Sequence, residues 1–135
     1  MKKIILGLIL SIFLVCEAYG AEIHAVPDPL DTDCSDGVCW LQSALDLAEA
    51  NGQDDVIKIR QGTYDVVDIL VNPSQGFYYS SNQGYSLTIK GGYDATFQNQ
   101  TLDPENTILD GGDLYGVLHI VQDNSGDVYV EGLTI

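Results

Sequence analysis

Apolar and polar positions alternate in short runs along most of this chain, and the clearest set lies between Ser86 and Ile135. There SLTIKGGYDATF, NTILDGGDLYGVLHIV and GDVYVEGLTI each carry a β-rich run, one charged outward position and then glycine. The earlier VIKIRQG fits the same phrase. Superposing Ile57–Arg60, Leu87–Lys90, Thr107–Asp110 and Val128–Glu131 makes Ile59, Ile89, Leu109 and Val130 equivalent, with gaps of 30, 20 and 21 residues. A loose repeat of about twenty residues, each with a strand and a glycine turn, predicts a stacked β-solenoid, because one unit cannot bury its apolar face alone. In this register Ile57, Ile59, Leu87, Ile89, Leu109, Val128 and Val130 face inward with period two. Arg60, Lys90, Asp110 and Glu131 form an outer column with a spacing of about 4.8 Å.

The period changes once, in CWLQSALDLAEANG. Leu41, Ala44, Leu45 and Ala48 fall at i, i+3, i+4 and i+7, with Trp40 and Leu47 beside them, which predicts one three-turn amphipathic helix. Asn51-Gly52 supplies its left-handed stop. Lying before the first repeat, this helix is expected to plug the open apolar end of the stack. Glu22–Val26 reads as a strand closed by Pro27-Asp28-Pro29, and Leu30–Gly37 as a polar turn. Asp55–Arg60 is a strand, Gln61–Tyr64 a turn, and Asp65–Val71 a further strand ending at Asn72-Pro73. An aromatic strand within residues 74–84 reads as an insertion that lengthens the first gap. Leu87–Lys90, Ile108–Asp110, Gly116–Val121 and Val128–Ile135 follow as strands, with Gly91-Gly92, Gly111-Gly112 and Asp123–Gly126 as turns. The expected fold is all-β, a parallel β-helix with residues 21–54 as its cap and 55–135 as its first coils. The last strand carries no polar cap, so the coils are expected to continue past Ile135, or to self-associate through that strand.

Residues 1–20 read as a secretory signal peptide: a Met-Lys-Lys start, an apolar run from Ile4 to Val15, and Ala18-Tyr19-Gly20 before the cut. The run is too short for a spanning helix. A lipoprotein cut at Cys16 is disfavoured by the bulky Val15 before it. Removing residues 1–20 takes away Lys2, Lys3 and Glu17, leaving three cations against nineteen acids, a net charge of −16. That charge argues against nucleic acid as a partner, since no cationic patch exists to displace counterions. It suits an exported protein kept soluble by repulsion, or one that binds divalent cations.

Cys34 and Cys39 remain, and in an oxidising compartment the loop DCSDGVC is expected to close as a disulfide. Free thiols or half of a metal site are the rival readings, and zinc would find only His24 and His119 besides. Asp31, Asp33 and Asp36, with Asp28 nearby, are candidate calcium ligands, although the third acid stands one place late for an EF-hand loop. No cofactor is expected, calcium being the one these acids would admit, and solvated turn aspartates are the plainer reading.

Cys39–Leu45, then Asp55–Ile59 and Gly62-Thr63-Tyr64, resemble the opening of exported right-handed parallel β-helix proteins, a group that includes pectin-lyase-like chains and polymorphic outer-membrane proteins. Leu87–Tyr93, Thr107–Gly112 and Val130–Ile135 are similar to coil phrases of the same group. The resemblance implies right-handed winding and an extracellular, outer-membrane or cell-surface protein that often engages polysaccharide. No catalytic residue of the group matches a position here.

Three outward groups remain. Asp110 and Glu131 would be neighbouring carboxylates on an outer groove, and retaining glycosidases place such a pair about 5 Å apart; the plainer reading is a solvated ladder in which Lys90 meets Asp110. Tyr78, Tyr79 and Tyr93 are candidate stacking surfaces for a glycan, against ordinary packing in a sheet. His119 has no acidic or nucleophilic neighbour in sequence. The expected function is an exported structural or adhesive module, with a polysaccharide or cell-surface glycan as partner, that is not catalytic by itself. The alternative is the leading segment of a polysaccharide lyase or glycoside hydrolase whose active site lies beyond residue 135.

Overall fold

A computed structural model describes residues 20–69, 75–113 and 115–135. The expected signal peptide lies, except for Gly20, outside the described residues, as does the Asn72-Pro73 turn. The described elements are β1 (Ala21–Val26), β2 (Val38–Trp40), α1 (Leu41–Ala50), β3 (Asp55–Arg60), β4 (Gly62–Asp65), β5 (Phe77–Ser81), β6 (Leu87–Tyr93), β7 (Thr107–Asp110), β8 (Leu118–Gln122) and β9 (Val128–Glu131). Among the described residues, no helix is long and apolar enough to cross a membrane.

The protein is mostly strand with one α-helix, and every pairing between these strands is parallel. One sheet has the order β2-β1-β3-β6-β9, a second pairs β4 with β7, and a third pairs β5 with β8. From β3 onward the chain therefore visits the three sheets in a fixed rotation. Parallel neighbours need a long crossover, and here the strands of the other two sheets make it.

Alternation decides which side chains meet inside. Ile57, Ile59, Tyr64, Phe77, Tyr79, Leu87, Ile89 and Leu109 are all at most 3% exposed. Their neighbours Val56, Lys58, Tyr78, Thr88 and Lys90 point away and are half-buried. Trp40 joins this interior from the end of β2, with its ring stacked on Tyr64 at 5.4 Å and tilted against Phe77 at 5.6 Å. The Tyr64 hydroxyl lies 2.9 Å from the carbonyls of Ala25 and Arg60, so the polar end of the largest fully buried side chain has acceptors. Burial pushes its phenol pKa well above the ordinary tyrosine value.

The helix forms where the 3.6 period predicts it. Leu41, Ala44, Leu45 and Ala48 are buried, and α1 packs against β1, β2, β3 and β5. Gly52 takes φ +70°, the left-handed turn that ends it. Across its polar side Gln42 reaches the free edge of β5: Oε1 accepts from Tyr78 N at 2.9 Å and Nε2 donates to Tyr78 O at 2.9 Å. Glu49 accepts from Ser80 N at 3.4 Å. Side chains of the helix thus take the hydrogen bonds that a neighbouring strand would otherwise take.

Several expectations need correction. Gly62–Asp65 is a strand rather than a turn, because Tyr64 buries its ring and Gly62–Asp65 pairs in register with Thr107–Asp110. Within the expected strand Asp65–Val71, Val66–Asp68 forms a 3-10 turn. Gly91-Gly92 lies inside β6, with Gly92 N donating to the buried Thr107 Oγ1 at 2.8 Å. Leu109 stands opposite Tyr64 in the second sheet, whereas Ile89 lies between Ile57 and Val130 in the first. The twenty-residue alignment therefore mixed strands of different sheets, and the aromatic strand β5 is a regular member of the third sheet. Val130, expected inward, is 42% exposed, and among the described residues β8 and β9 pair on one side only.

Candidate functional site

The outer face of the five-stranded sheet carries the three described cations. Register places His24, Lys58, Lys90 and Glu131 in one row. Glu22 receives Lys58 Nζ and His24 Nε2, each at 2.8 Å, and Lys90 Nζ meets Glu131 at 3.1 Å. Lys58, then His24, hold the Glu22 carboxyl below the usual carboxylate range. Lys58 also stands 5.1 Å over the Tyr93 ring. One end of the row is covered by the loop after β6, where Phe97 stacks on His24 at 4.1 Å with φ +57°. Asp94 folds that loop: it accepts from Asn99 Nδ2 at 2.7 Å, Thr96 Oγ1 at 2.8 Å and the backbone N–H groups of Thr96 and Gln98. The Asn99 amide first, then Thr96, hold its carboxyl far below the ordinary value. The row is a charge-balanced ladder.

The outer column predicted from sequence is not formed. A bulge after Lys58 sets Arg60 opposite Tyr93, and Asp110 stands opposite Asp65 in the second sheet. Asp110 and Glu131 are thus on different sheets, and Lys90 pairs with Glu131 instead of Asp110. Burial, then the Asp110 and Asp68 charges, raise the Asp65 pKa.

Cys34 and Cys39 form the disulfide, with Cα atoms 5.0 Å apart. The neighbouring aspartates act in turns: Asp33 Oδ1 caps Ser35 N and Asp36 Oδ1 accepts from Val38 N, both at 3.0 Å, while the Asp31 carbonyl receives Trp40 N. Among the described residues, no three His, Cys, Asp or Glu side chains stand together as a metal site.

Of the three candidate tyrosines, Tyr79 is 3% and Tyr93 7% exposed, since the alternation of β5 and the loop over β6 bury them. Neither ring is open to a glycan. Tyr78 points outward, edge-on to His119 at 5.3 Å. It borders a cavity of about 390 Å³ between α1, the outer side of β5 and the backbone at Ile69 and Gly76. Trp40, Gln42, Ser43, Asp46 and Asp68 also line it. Sequence reasoning missed this groove: the helix face was read only for its apolar stripe, while Gln42 and Asp46, one turn apart, mark its polar wall.

One buried carboxyl lies elsewhere. Asp55, at the start of β3, is 3% exposed and receives Asn51 Nδ2 at 2.7 Å. Burial pushes its pKa up to about 6 despite that hydrogen bond. No protein-family model, curated protein or solved structure matches this chain.

Proposed function

We propose that this chain is a capped module of a right-handed parallel β-helix in an exported protein, with a structural or adhesive role and no catalysis of its own. The observation that carries this reading is the asymmetry of its ends. At one end α1 covers the interior and Gln42 occupies the edge of β5. At the other, the inward position Val130 is 42% exposed beside exposed Tyr129 and Ile135. The rotation of strands through three parallel sheets is the path a β-helix requires, and another β-layer laid on β8 and β9 would bury that end. A second copy of this chain can supply that layer. Export is supported by the apolar start of the sequence, the disulfide and the acidic charge.

The test is sedimentation of the purified protein over a wide concentration range. The expected result is reversible association that Val130→Glu abolishes without changing the far-UV circular dichroism. A monomer at every concentration would remove the stacking argument.

A further inference from the structure

One row of the five-stranded sheet carries an acid where its neighbours are apolar. Register places Asp55 of β3 between Ala21 of β1 and Leu87 of β6, with Val128 of β9 next in the row. The position points inward, and Asp55 is 3% exposed. Its carboxyl accepts from Asn51 Nδ2 at 2.7 Å, and among the described residues no cation pairs with it. The groups that face it share its sign or are neutral. Asp54 adjoins it on the chain, and β5 presents Tyr79. Glu49 of α1 acts on the same Tyr79 phenol, while β1 and β6 offer only Ala21 and Leu87. The negative end of the helix dipole also lies on this side, since α1 stops at Ala50. A carboxylate so placed is costly, and a neutral carboxyl is not.

The same residue stands at a joint. Asn51 N donates to Leu47 O at 3.1 Å, and Asn51 Oδ1 accepts from Gln53 N at 3.2 Å. Asp55 N donates to Ser86 O at 2.9 Å, and Asp54 Oδ1 accepts from Ser86 N at 2.7 Å. Gln83 Nε2 donates to Glu49 O at 3.3 Å. The end of α1, the start of β3 and the corner before β6 are thus tied together through Asn51, Asp54 and Asp55. Gly52, at φ +70°, is the pivot between helix and strand. A polar cavity of about 250 Å³, lined by Glu49, Ser81 and Gln83 among others, opens on the same corner. Ser81 also hydrogen-bonds the Tyr79 phenol, so polar groups lead from that cavity toward Asp55.

We propose that Asp55 is a proton-operated latch on the cap: protonated, it docks the end of α1 on the first coil; ionised, it opens residues 51–54 so that water reaches the charge. The cap is shut in acid and loosened at neutral pH. This device goes beyond the module reading and does not depend on coil stacking.

Native-state amide hydrogen exchange of the whole protein, corrected for the intrinsic effect of pH, tests it. The docked carboxyl titrates near 6 and a hydrated one near 3.8. The opening constant should therefore be flat below about pH 4, rise about a hundredfold by pH 6 to 7, and level off. The Gln53 and Ser86 amides are expected to follow that curve and to exchange faster at every pH than the central amides of β3 and β6. Asp55→Asn, which keeps an acceptor for Asn51, should hold acid-level protection throughout. Asn51→Ala removes the donor and should move the rise, read at Ser86, to higher pH. Protection independent of pH, exchange of Gln53 and Ser86 no faster than that of the central amides, or a slope that survives in Asp55→Asn would each overturn the proposal.

Discussion

Gln42 is the residue whose replacement most directly tests how the helix closes the sheet. Its amide makes two 2.9 Å hydrogen bonds to the backbone of Tyr78, one as acceptor and one as donor. Gln42→Ala leaves both Tyr78 groups at a half-buried edge. At a net contribution of about 1 kcal/mol per bond, the loss comes to about 2 kcal/mol, which for a domain of this size lowers Tm by roughly 8 °C. Gln42→Glu separates the two bonds. A carboxylate still accepts from Tyr78 N, but it faces the Tyr78 carbonyl and Asp46 with no proton to donate. At neutral pH it should cost at least as much as alanine, and relative to wild type it should recover near pH 4, where the acid regains an O–H. Urea unfolding followed by far-UV circular dichroism gives the free energies, and hydrogen exchange at the Tyr78 amide reports the edge itself. If Gln42→Ala stays within about 0.5 kcal/mol of wild type and leaves Tyr78 equally protected, the helix does not stand in for a strand.

Three further outcomes are expected. Asp55 titrates near its ordinary value of 3.8 when unfolded and near 6 when folded, so between those values the native state holds a proton that the unfolded chain has released. Stability is then greatest below about pH 4, falls toward pH 6 and is level above, by at most about 3 kcal/mol. Asp55→Asn keeps an acceptor for Asn51 and should flatten the urea midpoint across pH 4–7; a surviving slope would assign it to another group. Reducing Cys34–Cys39 releases a short loop and should cost about 2 kcal/mol, read as a lower melting temperature in dithiothreitol that Cys34→Ser reproduces without reductant. Glu131→Gln breaks the half-exposed pair with Lys90 and should cost under about 1 kcal/mol, with the difference shrinking in high salt; a larger, salt-independent loss would mean that the ladder matters to the fold.

The helix, the strand cores and the disulfide were legible because each rests on local physics. Leu41, Ala44, Leu45 and Ala48 need only the 3.6 period, and Ile57 and Ile59 need only alternation. The misreadings at Gly62–Asp65 and Gly91-Gly92 share one cause. Glycine signals a turn in isolation, but here it also allows two stacked strands to approach: a side chain at Gly91 would run into the backbone of Gly132. Of the candidate tyrosines, Tyr79 and Tyr93 are buried and Tyr78 is not. Neighbours along a strand point to opposite faces, so Tyr78 and Tyr79 do not share a surface, and the packing of β5 puts Tyr79 inside.

Register itself left a trace in the sequence, at a longer period than twenty. Phe77 pairs with Leu118 and Leu87 with Val128, both 41 residues apart. The same offset joins Gly91 to Gly132, and Ser86 to Asp127, where the Asp127 N–H donates to Ser86 Oγ at 3.2 Å in the corner before β6 and β9. Two sheets and the corner between them thus share one spacing, as they must if the chain advances by one strand spacing each time it returns to a sheet. Other offsets differ, with Asp55 to Leu87 at 32 residues and Gly62 to Thr107 at 45, because the connections between strands, such as the one around Asp94, differ in length. The phrase of strand, charge and glycine recurs about every twenty residues only because a strand of some sheet passes there. It carries no information about which sheet its strand belongs to, so the pairing partner must be found from side chains that meet across strands, such as Ile89 with Val130, and not from the phrase itself.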